Sequence, residues 1–335
     1  MGATITKIEY FLPETILTND DLKHQFCDYD FVNFENKVGI KSRHVVNENE
    51  TALDLAIKAC EKIFNDDTLK SDIDFVLYCS QSPEYFLPTT ACILQDRLKL
   101  NKNIGALDFN LGCSGYTYGL SLAKGLIQSN QAKKVLLVTA ETYSKFIHPE
   151  DRTNRSIFGD AAAATLISHS IDNNIGDFLF GTDGSGFDKL IVKNGGARND
   201  FDLNCKIKDY GTGNKYTDNH LYMNGPEVFN FTAGVIPKFT KELLVKNNLK
   251  IDNVDQFIFH QANAFMLNFM RKRLKISESK FYIDLAFTGN TVSCTIPIAL
   301  KEYSKKIKFS EKIMLVGFGV GLSWSGGLIS INKSL

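Results

Sequence analysis

The chain repeats itself. Asp74-Phe-Val-Leu-Tyr-Cys79 is echoed by Asp255-Gln-Phe-Ile-Phe-His260, and Lys134-Val-Leu-Leu-Val-Thr139 by Lys312-Ile-Met-Leu-Val-Gly317, with a spacing of about 180 residues in both cases. The helical pattern at Thr89–Leu98 likewise corresponds to Ala264–Leu274, and the one after Cys113 to Thr291–Tyr303. Solenoid repeats run to only ~20–50 residues. A period this long means two duplicated βα halves. The polar stretch from His169 to Asn174 divides them into 1–172 and 173–335. Strands alternating with helices predict an α/β fold with largely parallel sheets. Each half then adds one sheet to a layered sandwich, and the elements that follow matching strands meet at the pseudo-two-fold junction.

In order, residues 3–11 read as a strand, Thr18-Asn-Asp-Asp as a helix start and 28–50 as irregular chain. Thr51-Ala-Leu-Asp opens an amphipathic helix, residues 80–88 form a loop, and Ile104–Phe109 reads as a buried strand. After Phe158-Gly-Asp the chain becomes a strand to 167, and strands follow near 177–182 and 189–193. Residues 195–219 are rich in Gly, Asn and Asp and read as loop, and Gly225-Pro226 starts a helix to about Val245. Phe281-Tyr-Ile-Asp-Leu-Ala-Phe287 reads as a further strand.

The buried strand at 104–109 breaks at Gly112, and from Cys113 the apolar period becomes helical through Tyr116, Leu120, Ala123 and Ile127. Cys113 therefore sits at a strand-to-helix elbow. Unpaired N–H groups and the dipole at the helix N-terminus favour an anion, which biases the thiol toward thiolate. Its neighbours Gly112, Ser114 and Gly115 are small enough to admit a substrate. His260-Gln-Ala-Asn263, Gly289-Asn290-Thr-Val-Ser293 and Gly317-Phe-Gly-Val-Gly321 each mark a break where a strand stops. Sites in open α/β sheets lie beyond the carboxyl ends of strands. Taken singly, each break also suits a structural histidine, a turn or close backbone packing.

Composition narrows the function classes. With 335 residues, 44% hydrophobic and 23% charged, the chain is an ordinary globular protein of one large or two tightly joined domains. Its formal net charge is zero, which gives no global field toward nucleic acid or membrane. Seven scattered cysteines without a C-x-x-C pair suggest neither a disulfide framework nor a metal site, and fit a reducing cytoplasm. No apolar run nears the ~20 residues of a membrane span. The N-terminus lacks a signal-peptide pattern. Met1-Gly-Ala-Thr-Ile-Thr6 matches a myristoylation pattern, which the strand reading of 3–11 opposes.

Together the Cys113 elbow and the three breaks, in this order on a duplicated frame, resemble the thiolase superfamily, and within it the β-ketoacyl-acyl-carrier-protein synthase III family. The likeness runs through Ile8-Glu-Tyr-Phe-Leu-Pro13, Gly39-Ile-Lys-Ser-Arg-His44, Gly112-Cys-Ser-Gly-Tyr-Thr-Tyr118, Phe158-Gly-Asp-Ala-Ala162, His260-Gln-Ala-Asn263, Gly289-Asn-Thr291 and Phe318-Gly-Val-Gly-Leu-Ser-Trp324. The resemblance implies a five-layer αβαβα fold, a homodimer and a Cys113–His260–Asn290 active site with no cofactor beyond the coenzyme A thioester substrate. Cys113 would take an acyl group from acyl-CoA. The N–H groups of Cys113 and Val320 would form the oxyanion hole. Malonyl-acyl-carrier protein would then lose CO2, and the side chains of His260 and Asn290 would stabilise its enolate.

The resemblance also marks Arg152, Lys37 and Asn263 as substrate-binding. Leu87 falls where the family limits acyl length across the dimer, and Arg271-Lys-Arg273 is a basic helix end suited to carrier docking. Asn33 stands where the family often has an adenine-stacking tryptophan, and Asn230 and Phe265 where it has docking cations. These departures suit a specialised paralogue in secondary-metabolite or surface-glycan biosynthesis as readily as a housekeeping starter enzyme. Such a paralogue would act as an acyltransferase or like a type III polyketide synthase. A thiolase would need a second cysteine at 317–321. Glu84 lies in the loop that matches the glutamate-bearing loop of HMG-CoA synthase. A non-catalytic partner subunit would not need intact Cys113, His260 and Asn290.

Overall fold

A computed structural model describes residues 2–64, 70–209, 213–332 and 334–335. Its first part comprises β1 (Gly2–Phe11), β2 (Thr15–Thr18), α1 (Asn19–Gln25), α2 (Phe31–Val38), β3 (Ser42–Val45), α3 (Ala52–Ile63), β4 (Phe75–Cys79), α4 (Thr90–Arg97), β5 (Gly105–Phe109), α5 (Gly115–Gln128), β6 (Lys134–Glu141), α6 (Arg152–Ile157) and β7 (Ala161–Ser170). Then follow β8 (Ile175–Thr182), α7 (Gly225–Lys246), β9 (Gln256–Phe259), α8 (Ala264–Leu274), α9 (Thr295–Ser304), β10 (Glu311–Gly319) and β11 (Ser323–Ile331). Two-residue ladders, 190–191 with 222–223 and 208–209 with 215–216, are the only strand pairing described in the loop region between β8 and α7.

The first sheet has the order β1-β7-β6-β4-β5, and the second β9-β10-β11-β8. Helices α3 and α4 pack outside the first sheet, and α7 and α8 outside the second. Between the sheets lie α5 and α9. There Tyr116, Leu120 and Ile127 share one buried core with Ile296, Ala299 and Leu300 and with strand residues of both sheets. These are the five layers αβαβα.

Local chemistry accounts for the boundaries. Thr18 and Thr51 each cap a helix through a reciprocal box with Asp21 and Asp54. Residues 28–50 are not irregular throughout. Asp30 accepts the Asn33 N–H and starts α2, Gly39 ends it in the left-handed conformation, and β3 pairs with β2.

The sheets are mixed, not largely parallel. Among the described strands of the two sheets, only β4–β5, β4–β6 and β9–β10 pair in parallel. The β10–β11 connection is a tight turn at 320–322, and such a turn joins only antiparallel strands. The β6–β7 connection carries a 3-10 turn at Tyr143–Phe146 and the short helix α6, and those strands are antiparallel too.

Two further expectations fail. β5 is an edge strand and is half-buried, with Leu107 47% exposed. Residues 281–287 form no strand. Phe281 bridges Phe257 and the Tyr282 N–H donates to the Phe257 carbonyl, but the Asp284 N–H turns to Gln261 Oε1 and the ladder ends.

Candidate active site

Cys113 lies two residues before α5 and is 5% exposed. Part of its surroundings comes from the second half of the chain. A Cβ built on Gly319 would stand 2.9 Å from both Cβ and Sγ of Cys113, and one on Gly317 would stand 2.6 Å from the Cys113 carbonyl oxygen. Glycine at both positions therefore lets β10 lie directly against the elbow. The hydroxyls beside it tie the two halves together, with Ser114 Oγ 2.7 Å from Ser323 Oγ and Thr117 bonded to Ser325.

Val292 is the common neighbour of the site. Its side chain packs into one apolar cluster with Cys113, Tyr143, Phe158, Leu190 and Leu221, and faces Gly112. Its N–H donates to Asn290 Oδ1 at 2.9 Å. With that oxygen occupied, the Asn290 amide offers its N–H2 to the site. Asn290 is itself locked to the first half, where its N–H donates to the Ile157 carbonyl and its carbonyl accepts from the Gly159 N–H. The Val292 backbone also lies within hydrogen-bond reach of the His260 ring.

His260 follows β9 and is 2% exposed. Its Nδ1 is 2.7 Å from Thr295 Oγ1, and its ring stands edge-on to Phe318 with centroids 5.5 Å apart. Nε2 is left for the site.

The electrostatics correct one expectation. Burial pushes the Cys113 thiol up to about 12, the Glu141 carboxylate adds to this, and the N–H groups of Cys113 and Val320 oppose it. Removal from water thus outweighs the helix terminus, and the resting sulfur is a neutral thiol rather than a thiolate. Burial also lowers His260 to about 3, so the ring is neutral. Glu141 is wholly buried, accepts from Ser293 Oγ, the Gln81 N–H and Ser82 Oγ, and is raised by burial to about 8.

A cavity of about 750 Å³ is lined by Gln81, Tyr143, Phe146, Leu190, Leu221 and Val320; Cys113 is not among its lining residues but shares an apolar cluster with Tyr143, Leu190 and Leu221. Glu84 lies on the same wall, whereas Leu87 is 84% exposed and is not among the lining residues. The other predicted residues lie apart from the sulfur's neighbours. Arg152 lies 4.0 Å from the centroid of the Tyr29 ring, so its aromatic partner is Tyr29, not a residue at position 33. The Lys37 ammonium sits over Phe265, which forms an exposed aromatic group with Phe229 and Phe269.

Asn263 caps α8 through the Met266 N–H, which commits its oxygen to structure. Arg271 turns back to Asn268 and the Ile276 carbonyl, while Lys272 and Arg273 face solvent. Sequence reasoning missed Val292, Thr295, Glu141 and Tyr29. Only Thr295, at the start of the helix after Asn290, carried a signal, as a polar residue in an apolar run. Among the described residues no cluster of metal-ligating side chains occurs, and no helix is long and apolar enough to cross a membrane.

Comparison with known proteins adds the following. Residues 107–184 match the family model described as 3-oxoacyl-(acyl-carrier-protein) synthase III, and residues 244–331 match its C-terminal model. A β-ketoacyl-(acyl-carrier-protein) synthase III of Clostridium perfringens is 36% identical, covering 96% of this chain and 97% of that protein. A crystal structure of a 3-oxoacyl-(acyl-carrier-protein) synthase III superposes with TM-score 0.96 at 44% identity, covering 99% of this chain and 100% of the other. One of a 3-oxoacyl-(acyl-carrier-protein) synthase from Burkholderia xenovorans LB400 gives 0.92 at 33% identity, covering 99% and 95%.

Proposed function

The chain belongs to the 3-oxoacyl-(acyl-carrier-protein) synthase III family of the thiolase superfamily, and from that membership we propose how its own residues carry out a decarboxylating condensation. An acyl group passes from coenzyme A to the Cys113 sulfur. Malonyl-acyl-carrier protein then loses CO2, and its enolate carbon attacks the acyl-Cys113 carbonyl to give a β-ketoacyl product. Asn290 Nδ2 and His260 Nε2 hold the enolate oxygen. The thioester is the activated group, and the reaction needs no cofactor.

The observation that carries this reading is the pair of backbone N–H groups, Cys113 and Val320, that converge on the Cys113 sulfur. Each oxyanion donor of this kind is worth ~3–4 kcal/mol in the transition state. The test is intact mass after mixing with acyl-CoA. A single acyl adduct that disappears in Cys113→Ser supports the assignment, and an unmodified wild-type chain sinks it.

The rest of the assignment follows the same reading. The protein works in the cytoplasm as a homodimer. The exposed edge of β5 and the exposed Tyr85, Phe86 and Leu87 favour a second copy as the covering surface, with Leu87 reaching the partner's acyl cavity. Arg152 and Tyr29 flank the nucleotide of coenzyme A, with Lys37 toward its phosphates, and Lys272 and Arg273 face the carrier protein. The halves 1–172 and 173–335 divide the work: the first supplies the sulfur, and the second supplies His260, Asn290 and the Val320 N–H.

A further inference from the structure

We propose that Thr295 is a positioning residue that holds His260 as its Nδ1–H tautomer, so that Nε2 is the base for Cys113 and donates to the enolate only after taking up a proton. This rests on the reading of the site given above.

Thr295 Oγ1 stands 2.7 Å from His260 Nδ1 and donates to the Val292 carbonyl at 3.1 Å. A hydroxyl has one proton. With that proton on the carbonyl, a lone pair faces the ring, and Nδ1 must carry the hydrogen. The Val292 backbone group beside the ring also raises the His260 pKa, as an acceptor does. Thr295 is 3% exposed and His260 2%, so water does not replace the hydroxyl. Thr295 is also the first residue of α9, which fixes its backbone.

The proton balance follows. In acyl transfer the Cys113 S–H proton passes to Nε2 as the sulfur bonds to the thioester carbonyl. The adduct collapses, the bond to the leaving thiol breaks, and that sulfur takes the proton from Nε2. In condensation the malonyl C–CO2 bond breaks and its electron pair forms the enolate. The new C–C bond forms, the acyl–sulfur bond breaks, and the Cys113 sulfur needs one proton. Solvent supplies that proton to Nε2 when the malonyl anion enters the dry site. His260 therefore meets the two half-reactions in different charge states.

The test uses the full chain with 15N-labelled histidine. Long-range 1H–15N spectra read the tautomer, and His260→Gln identifies the signal among the six histidines. The expected wild-type spectrum has Nδ1 protonated. Thr295→Val loses the fixed tautomer and slows Cys113 adduct formation about tenfold or more by quenched intact mass, and Thr295→Ser restores both. A wild-type ring protonated at Nε2, or a Thr295→Val chain that keeps tautomer and rate, overturns the assignment. The wild-type spectrum decides even where a variant folds poorly. Absence of any acyl adduct in the wild type instead removes the reading of the site itself.

Discussion

Replacing Gly319 by Ala sets a methyl carbon 2.9 Å from both Cβ and Sγ of Cys113. Such contacts relax to ~3.5–4.0 Å, so the shortfall is roughly 0.6 Å or more. Neither side has room to yield. Cys113 is 5% exposed, its carbonyl lies against Gly317, and β10 is held by ladders to β9 and β11. The sulfur is therefore pushed off the two N–H groups. A misplacement of about 1 Å costs ~10²-fold in rate, and overpacking costs ~1–3 kcal/mol of stability.

We expect Gly319→Ala to stay folded, to melt a few degrees lower, and to acylate Cys113 about 10- to 100-fold more slowly by quenched mass spectrometry. Gly125→Ala is the control. Nothing lies within 4 Å of that added carbon, and its acylation rate should match wild type. A folded Gly319→Ala chain that acylates at the wild-type rate refutes the close approach of β10 to the sulfur.

Asn290→Ala removes an enolate donor together with the Oδ1 that accepts the Val292 N–H, so condensation should fall ~10²–10³-fold while the Cys113 adduct still forms; equal loss of both half-reactions counts against the role. Glu141 is raised from an ordinary carboxyl value to about 8 by burial, so between about 4.5 and 8 the folded chain holds a proton that the unfolded chain has released, and stability falls as pH rises through that window. The effect is at most ~5 kcal/mol. Glu141→Gln keeps the shape without the charge, and its melting temperature should fall less than wild type between pH 5 and about 8.5; superimposable curves argue against a buried neutral carboxyl. Leu107→Glu puts a charge on the exposed β5 edge and should shift a dimer toward monomers in sedimentation velocity, whereas a wild-type monomer ends the dimer proposal.

Periodic segments were the legible part. The helix starts at Thr18 and Thr51, the long helix from Gly225 and the strands at 75–79, 134–141 and 256–259 stand close to where the sequence puts them. The failures have physical causes. Phe281–Phe287 alternates like a strand, but its pairing stops after the Tyr282 N–H, because the Asp284 N–H donates to the Gln261 side chain instead. The Asp30 cap and Gly39 stop were both present in the sequence, around a helix of only eight residues. The Cys113 elbow was readable because glycine and the change of period are local. The burial that raises its pKa was not, since Glu141 and the desolvating wall of Val292, Leu190 and Leu221 arrive from distant segments.

The two sandwiched helices carry a consequence of their own. Ile296, Ala299 and Leu300 of α9 mesh with Tyr116, Leu120 and Ile127 of α5, and this seam sets the spacing between a sulfur donated by one half and the proton-handling groups donated by the other. A slight slip along it leaves circular dichroism untouched while turnover fades. For this architecture, catalytic rate is thus the finer gauge of how well the two central helices still fit each other.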